Sequence, residues 1–419
     1  MSAAAVAGAA RREAEVIGLV GLAHGTSHFF HLMLPPLFPW LMGDFALSYT
    51  QAGFLVTVFF VVSGIGQALA GFVVDRVGAR PVLMFGIGML ALSGVVLAVA
   101  TSYGGLLLTA AVAGAGNSIF HPADFTLLNR RVSGPRLGHA FSVHGLAGNL
   151  GWAAGSMVMA GIAAAVSWRA AGMAAAATAL AVLALMTLRR RVLADDAPAT
   201  ASGPARGGAG TAGGAFAFLR SGPVWLCFAF FLITTLAFGV LQSYGPAILH
   251  NVYALALPAA SMGLTAYLLG SALGMVAGGF ASARFEDSDF VIAPALAVSA
   301  ATALLLASGW PPVAAVLPLM GLVGFGVGVA GPSRDLLVRH AAGALFGASA
   351  YGRVYGFAYS GLDVGLALSP LVFGPLLDAG RYALPLAGVA ALQVLALALA
   401  LAVGVGTRRL RGSRNGVQA

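Results

Sequence analysis

The 419-residue chain contains no lysine and one cysteine, and only 8% of its residues are charged. Each shortage excludes something. Soluble domains carry about 25% charged residues, so a water-facing globule is excluded. With Cys227 alone, no internal disulfide can form, and the thiol is expected to be packing. There is no Gly-rich nucleotide loop of the Gly-x-x-x-x-Gly-Lys type, which argues against ATP-driven work. No polar stretch is long enough to build a catalytic domain. No basic folded face is available for nucleic acid, although the net charge is +9.

What is present is apolar: 59% hydrophobic residues and a mean hydropathy of +0.93. Runs of about 20 residues recur along the whole length, each long enough to cross a bilayer as a helix. In lipid every backbone polar group must be paired internally, so the runs must be helical. Spans are expected near 14–42, 49–73, 81–101, 105–130, 138–162, 168–188, 222–249, 259–282, 290–308, 313–338, 351–376 and 382–406. The fold class is therefore an all-α polytopic membrane protein, with twelve transmembrane helices in two pseudo-symmetric six-helix bundles. The bundles are assigned to 1–188 and 220–407. Residues 189–219, polar and rich in Gly, Pro and Ser, read as a flexible cytoplasmic linker, and 408–419 as a cytoplasmic tail.

All 22 basic residues are arginine. With a cytoplasmic N-terminus, nearly all of them fall on the cytoplasmic side and only Arg169 and Arg381 on the other. This bias puts both termini in the cytoplasm of a bacterial inner membrane. The bland role of these arginines is to face anionic headgroups. No cleavable signal peptide is expected, because Arg11-Arg12 directly precede a full-length span.

The two halves repeat in order. Gly66, Gly71 and Arg76 match Gly274, Gly279 and Arg284 at an offset of 208. Gly114, Gly116 and Pro122 match Gly324, Gly326 and Pro332 at 210. Gly138, Asn149 and Gly151 match Gly352, Asp363 and Gly365 at 214. Parallel six-helix repeats are a transporter architecture, with alternating access and a midplane substrate site.

The segment Gly-Phe-Val-Val-Asp-Arg-Val-Gly-Ala-Arg over 71–80 resembles the major facilitator superfamily signature between helices 2 and 3, G-x-x-x-D-R-x-G-x-[RK]. The resemblance implies a conformational gate of Gly71, Asp75, Arg76, Gly78 and Arg80. In it Asp75 faces the N-terminus of helix 11 and Arg130 or Arg131. Within the superfamily, Ile-Phe-His-Pro at 119–122 followed by Gly138 and Gly148-Asn149-Leu150-Gly151 is locally similar to the fosmidomycin-resistance group. Ala110 stands where drug/proton antiporters of the superfamily place a basic residue, and helix 5 lacks their Gly-Pro.

Ionisable groups inside a membrane are expensive and mark function. His24, His28 and His31 fall at i, i+4 and i+7, on one face of helix 1. They are substrate-binding or proton-carrying candidates, with structural hydrogen bonding as the alternative. No metal site is expected there, since no carboxylate shares that face. Asn117, His121 and Asp124 share a face of helix 4. His121 and Asp124 read as a proton-holding pair, or as a structural pair at the inner gate bonded to Arg130. Arg334 sits opposite Asp124 by the repeat, and its fork suits a carboxylate or phosphonate. The alternative is neutralisation by Asp335, Asp124 or Asp363. Asp363, mirroring Asn149, is the second proton carrier. Softer substrate contacts are Gln242, Tyr244, His144, Asn149, Tyr355 and Tyr359. The function expected is proton-coupled secondary transport of a small organic, anionic solute by a monomer, with no cofactor, no nucleic-acid partner and no enzymatic activity. The alternative is proton-antiport efflux of antibiotic-like compounds.

Overall fold

The computed structural model describes residues 3–194, 220, 222–284, 289–346 and 351–415. The chain divides into two compact units, Met1–Gly203 and Pro204–Ala419. In the first, α1 spans Ala3–His31, α2 Phe38–Phe45, α3 Tyr49–Val77 and α4 Ala79–Val99. They are followed by α5 (Tyr103–Asn117), α6 (Phe120–Arg131), α7 (Gly134–Ala165) and α8 (Trp168–Leu188). The second unit holds α9 (Gly222–Tyr253), α10 (Leu257–Arg284), α11 (Asp289–Ala307), α12 (Val313–Phe346), α13 (Tyr351–Asp378) and α14 (Ala383–Asn415). The protein is an all-helical, multi-pass membrane protein. Among the described residues, eleven helical segments are long and apolar enough to cross a bilayer, with α5 and α6 together counting as one. The remaining long helix, α1, is more polar because it carries the three histidines, Thr26 and Ser27.

The units use one pairing scheme. α1 packs along α7, α3 along α5 and α4 along α8; in the second unit α9 packs along α13, α10 along α12 and α11 along α14. Small residues make these approaches close. A Cβ on Gly151 would overlap the Gly25 carbonyl, and one on Gly365 would overlap the Thr235 hydroxyl and Leu232 carbonyl of α9.

Two expected spans are broken. Helix 1 was expected to reach residue 42, but α1 ends at His31, and a 3-10 turn over Pro35–Leu37 leads into the short α2. Pro35 and Pro36 have no N–H to continue the ladder. Helix 4 is divided at Ser118-Ile119 into α5 and α6. Pro122 cannot donate to the Ser118 carbonyl, and the ladder resumes with Ala123 N–H to Ile119 O at 3.0 Å. Helix starts at Ser48, Ser102 and Ser167 are capped by the serine side chains, Ser48 in a reciprocal capping box with Gln51.

Of the segment assigned to the linker, residues 189–194 pack on the first unit. Arg80 Nη1 donates to Arg190 O at 3.3 Å, Arg131 Nη2 donates to Val192 O at 3.0 Å, and Leu193 is buried. Residues 195–219 lie outside the described residues. Gly78 joins α3 to α4 with φ at 93°, where a Cβ would be strained. α14 continues to Asn415, beyond the boundary assigned at 407.

Candidate functional site

The first unit encloses a polar cluster in its apolar interior, built where α1, α6 and α7 meet. The one-sided spacing of α1 brings His24, His28 and His31 together. The His28 ring lies 4.3 Å from that of His24 and 4.7 Å from that of His31, centroid to centroid. His24 and His31 are buried and His28 half-buried. From α6, Asp124 enters with no solvent exposure, and His121 lies one turn before it. From α7, His144 stacks on His24 at 3.5 Å and Trp152 on His28 at 4.3 Å. Gly148 lies between them in sequence, and a Cβ there would overlap the His28 ring and press on His24 Nε2.

Two subnetworks are distinct. In the first, His24 Nδ1–H and His144 Nε2–H both donate to Asp124 Oδ2, at 3.2 and 3.1 Å. Asp124 Oδ1 is buried without a partner. In the second, His31 Nε2–H donates to Asn117 Oδ1 at 2.9 Å, and Trp152 Nε1–H donates to His31 Nδ1 at 3.1 Å. That pair of bonds allows only the neutral Nε2–H tautomer. Asn117 also accepts from Ser27 Oγ and donates Nδ2–H to Ser63 Oγ at 2.8 Å, so its amide is held in one orientation. His31 and Asn117 therefore form a satisfied network with no donor or acceptor to spare on the imidazole.

The sequence paired His121 with Asp124, or Asp124 with Arg130. Neither pair is joined by a hydrogen bond among the described residues. His121 Nδ1 bonds Gln67 Oε1 of α3 at 3.0 Å, and Asp124 turns to the imidazoles of α1 and α7. Chain neighbours three apart share a face, but here the groups on facing helices lie in better bonding position. His24, His28, His31, Asn117 and His121 all lie within the first unit, bonded or stacked mainly on one another. Trp152, Gln67, Ser27 and Ser63, none of them a candidate from the sequence, are part of the same cluster. A signal was available in α7: His144, Gly148, Gly151, Trp152 and Gly155 share one helical face.

The other candidates are dispersed. Asn149 is buried and donates Nδ2–H to Gly145 O at 3.2 Å. In the second unit Gln242 is fully buried, and buried Tyr244 donates its hydroxyl to Pro370 O at 3.2 Å. Asp363 is half-buried on α13. That helix lays Phe357, Gly361 and Gly365 against α9, which leaves Asp363 on its opposite side. Arg76 and Arg130 are exposed. Arg334 lies on α12, Tyr355 and Tyr359 on α13, and Gly71 and Asp75 on α3; their side chains lie outside those described.

The family model described as Major Facilitator Superfamily matches residues 20–370. The fosmidomycin resistance protein of Escherichia coli K12 is 33% identical over 163 residues, 39% of this chain and 40% of that protein. The uncharacterized MFS-type transporter YfnC of Bacillus subtilis 168 is 26% identical over 175 residues, 42% of each chain. These matches thus span about two fifths of either relative. Among solved structures, a bacterial homolog of the human lysosomal transporter Spinster, inward-facing and unoccupied, superimposes with a TM-score of 0.73 at 14% identity. It covers 95% of this chain and 98% of that one. The occupied inward-facing form of a bacterial Spinster homolog gives 0.69 at 12% identity, over 95% and 96%.

Proposed function

The chain belongs to the major facilitator superfamily, and from that premise we propose that it is a proton-coupled secondary active transporter of a small organic anion. It works as a monomeric carrier, by alternating access, in a bacterial inner membrane with both termini cytoplasmic. The arginine distribution supports the orientation. Arg334 supports the charge preference, since a guanidinium in a membrane helix replaces the water a carboxylate or phosphonate loses on binding.

The observation that carries coupling is Asp363. Of the three groups expected to move protons, Asp124 is engaged by two imidazoles and His121 by Gln67. Asp363 sits within a bilayer-spanning segment, and no hydrogen bond to its carboxylate is formed among the described residues. An ionisable acid in that setting is expensive to keep and marks function. The test begins with a transport screen of carboxylates, phosphonates and drugs in proteoliposomes. With the substrate in hand, Asp363→Asn should lose accumulation driven by an imposed pH gradient while keeping downhill counterflow. Full concentrative transport by Asp363→Asn would overturn the assignment.

A second reading, efflux by proton antiport, is favoured by the 33% identity to the fosmidomycin resistance protein. Expression in a drug-sensitive host that raises the inhibitory concentration of an antibiotic, lost again in Asp363→Asn, would select it.

A further inference from the structure

The hydrogen bonds of the first unit determine which imidazole nitrogens are left over. His24 spends Nδ1–H on Asp124, so its Nε2 carries a lone pair. His121 spends Nδ1–H on Gln67 Oε1, so its Nε2 does too. His28 Nδ1 is buried with no partner. One ring nitrogen from each of His24, His28 and His121 lies within 4.8 Å of the other two. Gly148 keeps clear the space that a Cβ would take from His28 Nδ1 and His24 Nε2. Behind the ring of His24 stands a buried carboxylate, and behind that of His121 a carboxamide oxygen.

We infer that His24, His28 and His121 form a three-imidazole site for a borderline divalent transition-metal ion such as Zn²⁺, with Asp124 and Gln67 orienting two of the ligands. Metal-bound histidines regularly donate their second N–H to a carboxylate or carbonyl, which sets the tautomer and raises ligand basicity. Zn–N bonds of about 2.0–2.1 Å in a tetrahedral arrangement put ligand nitrogens about 3.3 Å apart. The rings close the remaining gap by small rotations about their side-chain torsions. Three neutral imidazoles leave a fourth position open for water or an oxygen of a bound solute. The charge balance also favours a cation: Asp124 is bonded to His24, and among the described residues neither a hydrogen bond nor an ion pair brings an arginine to the cluster. A competing arrangement, His24, Asp124 and His144, also brings ligand atoms within 4.8 Å. There, however, His144 Nε2 and Asp124 Oδ2 are already bonded to each other. This site goes beyond the transport reading and does not rest on it.

The test uses tag-free, full-length protein in detergent, stripped of metal and titrated with Zn²⁺ against a chromophoric chelator and with Co²⁺ by visible absorption. One equivalent should bind, with the intense d–d bands of four-coordinate Co²⁺. His28→Ala and His121→Ala should each weaken Zn²⁺ at least about 100-fold, and Asp124→Asn about 10–100-fold. His144→Ala should keep the Co²⁺ spectrum, and exposed His250→Ala should change nothing. Melting of each apo variant checks folding, with His28→Gln and His121→Gln replacing any alanine variant that fails. Absence of stoichiometric binding overturns the site. So does binding that survives in the His28 and His121 variants but is lost in His144→Ala, since that pattern puts the ion on the Asp124 side.

Discussion

The two units share a helix-pairing scheme and differ in what fills it. In the first, Gly151 of α7 crosses α1 at Gly25; in the second, Gly365 of α13 crosses α9 at Leu232. In that register, the α9 positions matching His24, His28 and His31 are Phe231, Thr235 and Phe238. By the helix 4 and helix 5 offsets, His121 corresponds to Gly331 and His144 to Ala358. All five imidazoles thus have uncharged counterparts, and Asp124 has an arginine, Arg334. One core cluster on α9 is apolar: Phe230 packs with Ile292, Leu296, Ala330, Ala396 and Ala400. The difference teaches that the scaffold does not need the histidines. The other half uses the same pairing scheme with phenylalanine, threonine, glycine and alanine at those positions, and a polar cluster that is costly to bury is what motivates the site proposed above.

That comparison can be broken most severely by making the first unit resemble the second. His24→Phe with His144→Ala strips Asp124 of both donors and should cost about 3–5 kcal/mol, because a buried carboxylate is left uncompensated. Adding Asp124→Leu should recover most of it, read as the unfolding midpoint in detergent. Wild-type stability in the double variant would mean that the imidazoles do not hold the carboxylate. A smaller effect should be common to both halves. Gly151→Ala and Gly365→Ala each push a methyl into the facing helix and should each cost about 1–3 kcal/mol. If one is tolerated and the other not, the two crossings are not equivalent. The smallest effect belongs to the rim: Arg189, paired with Glu15, is 56% exposed, and Glu15→Gln should change stability by less than about 1 kcal/mol.

Legibility followed chain distance. The α1 stripe was readable because a 3.6-residue period puts His24, His28 and His31 on one face without reference to any neighbour. Pro122 removes one ladder bond from helix 4, but a proline by itself does not say that a helix divides. The same offset places Pro332 in α12, which runs unbroken. The partners of Asp124 were not readable. They come from 100 residues before it and 20 after it, and the local His121 and Arg130 competed for the assignment. His31 looked equivalent to His24 and His28 in the sequence, yet Trp152 and Asn117 hold it in one neutral tautomer.

The sequence by itself determined the membrane, the span pattern, the duplication and the family signature. These follow from hydropathy, charge and local spacing, which are properties of contiguous residues and survive any arrangement of the helices. Tertiary structure alone decided which imidazoles are spent on hydrogen bonds and which keep a free lone pair. That depends on the angle and depth at which α1, α3, α6 and α7 meet, and hydrogen bonds change with shifts of an ångström that no linear pattern encodes.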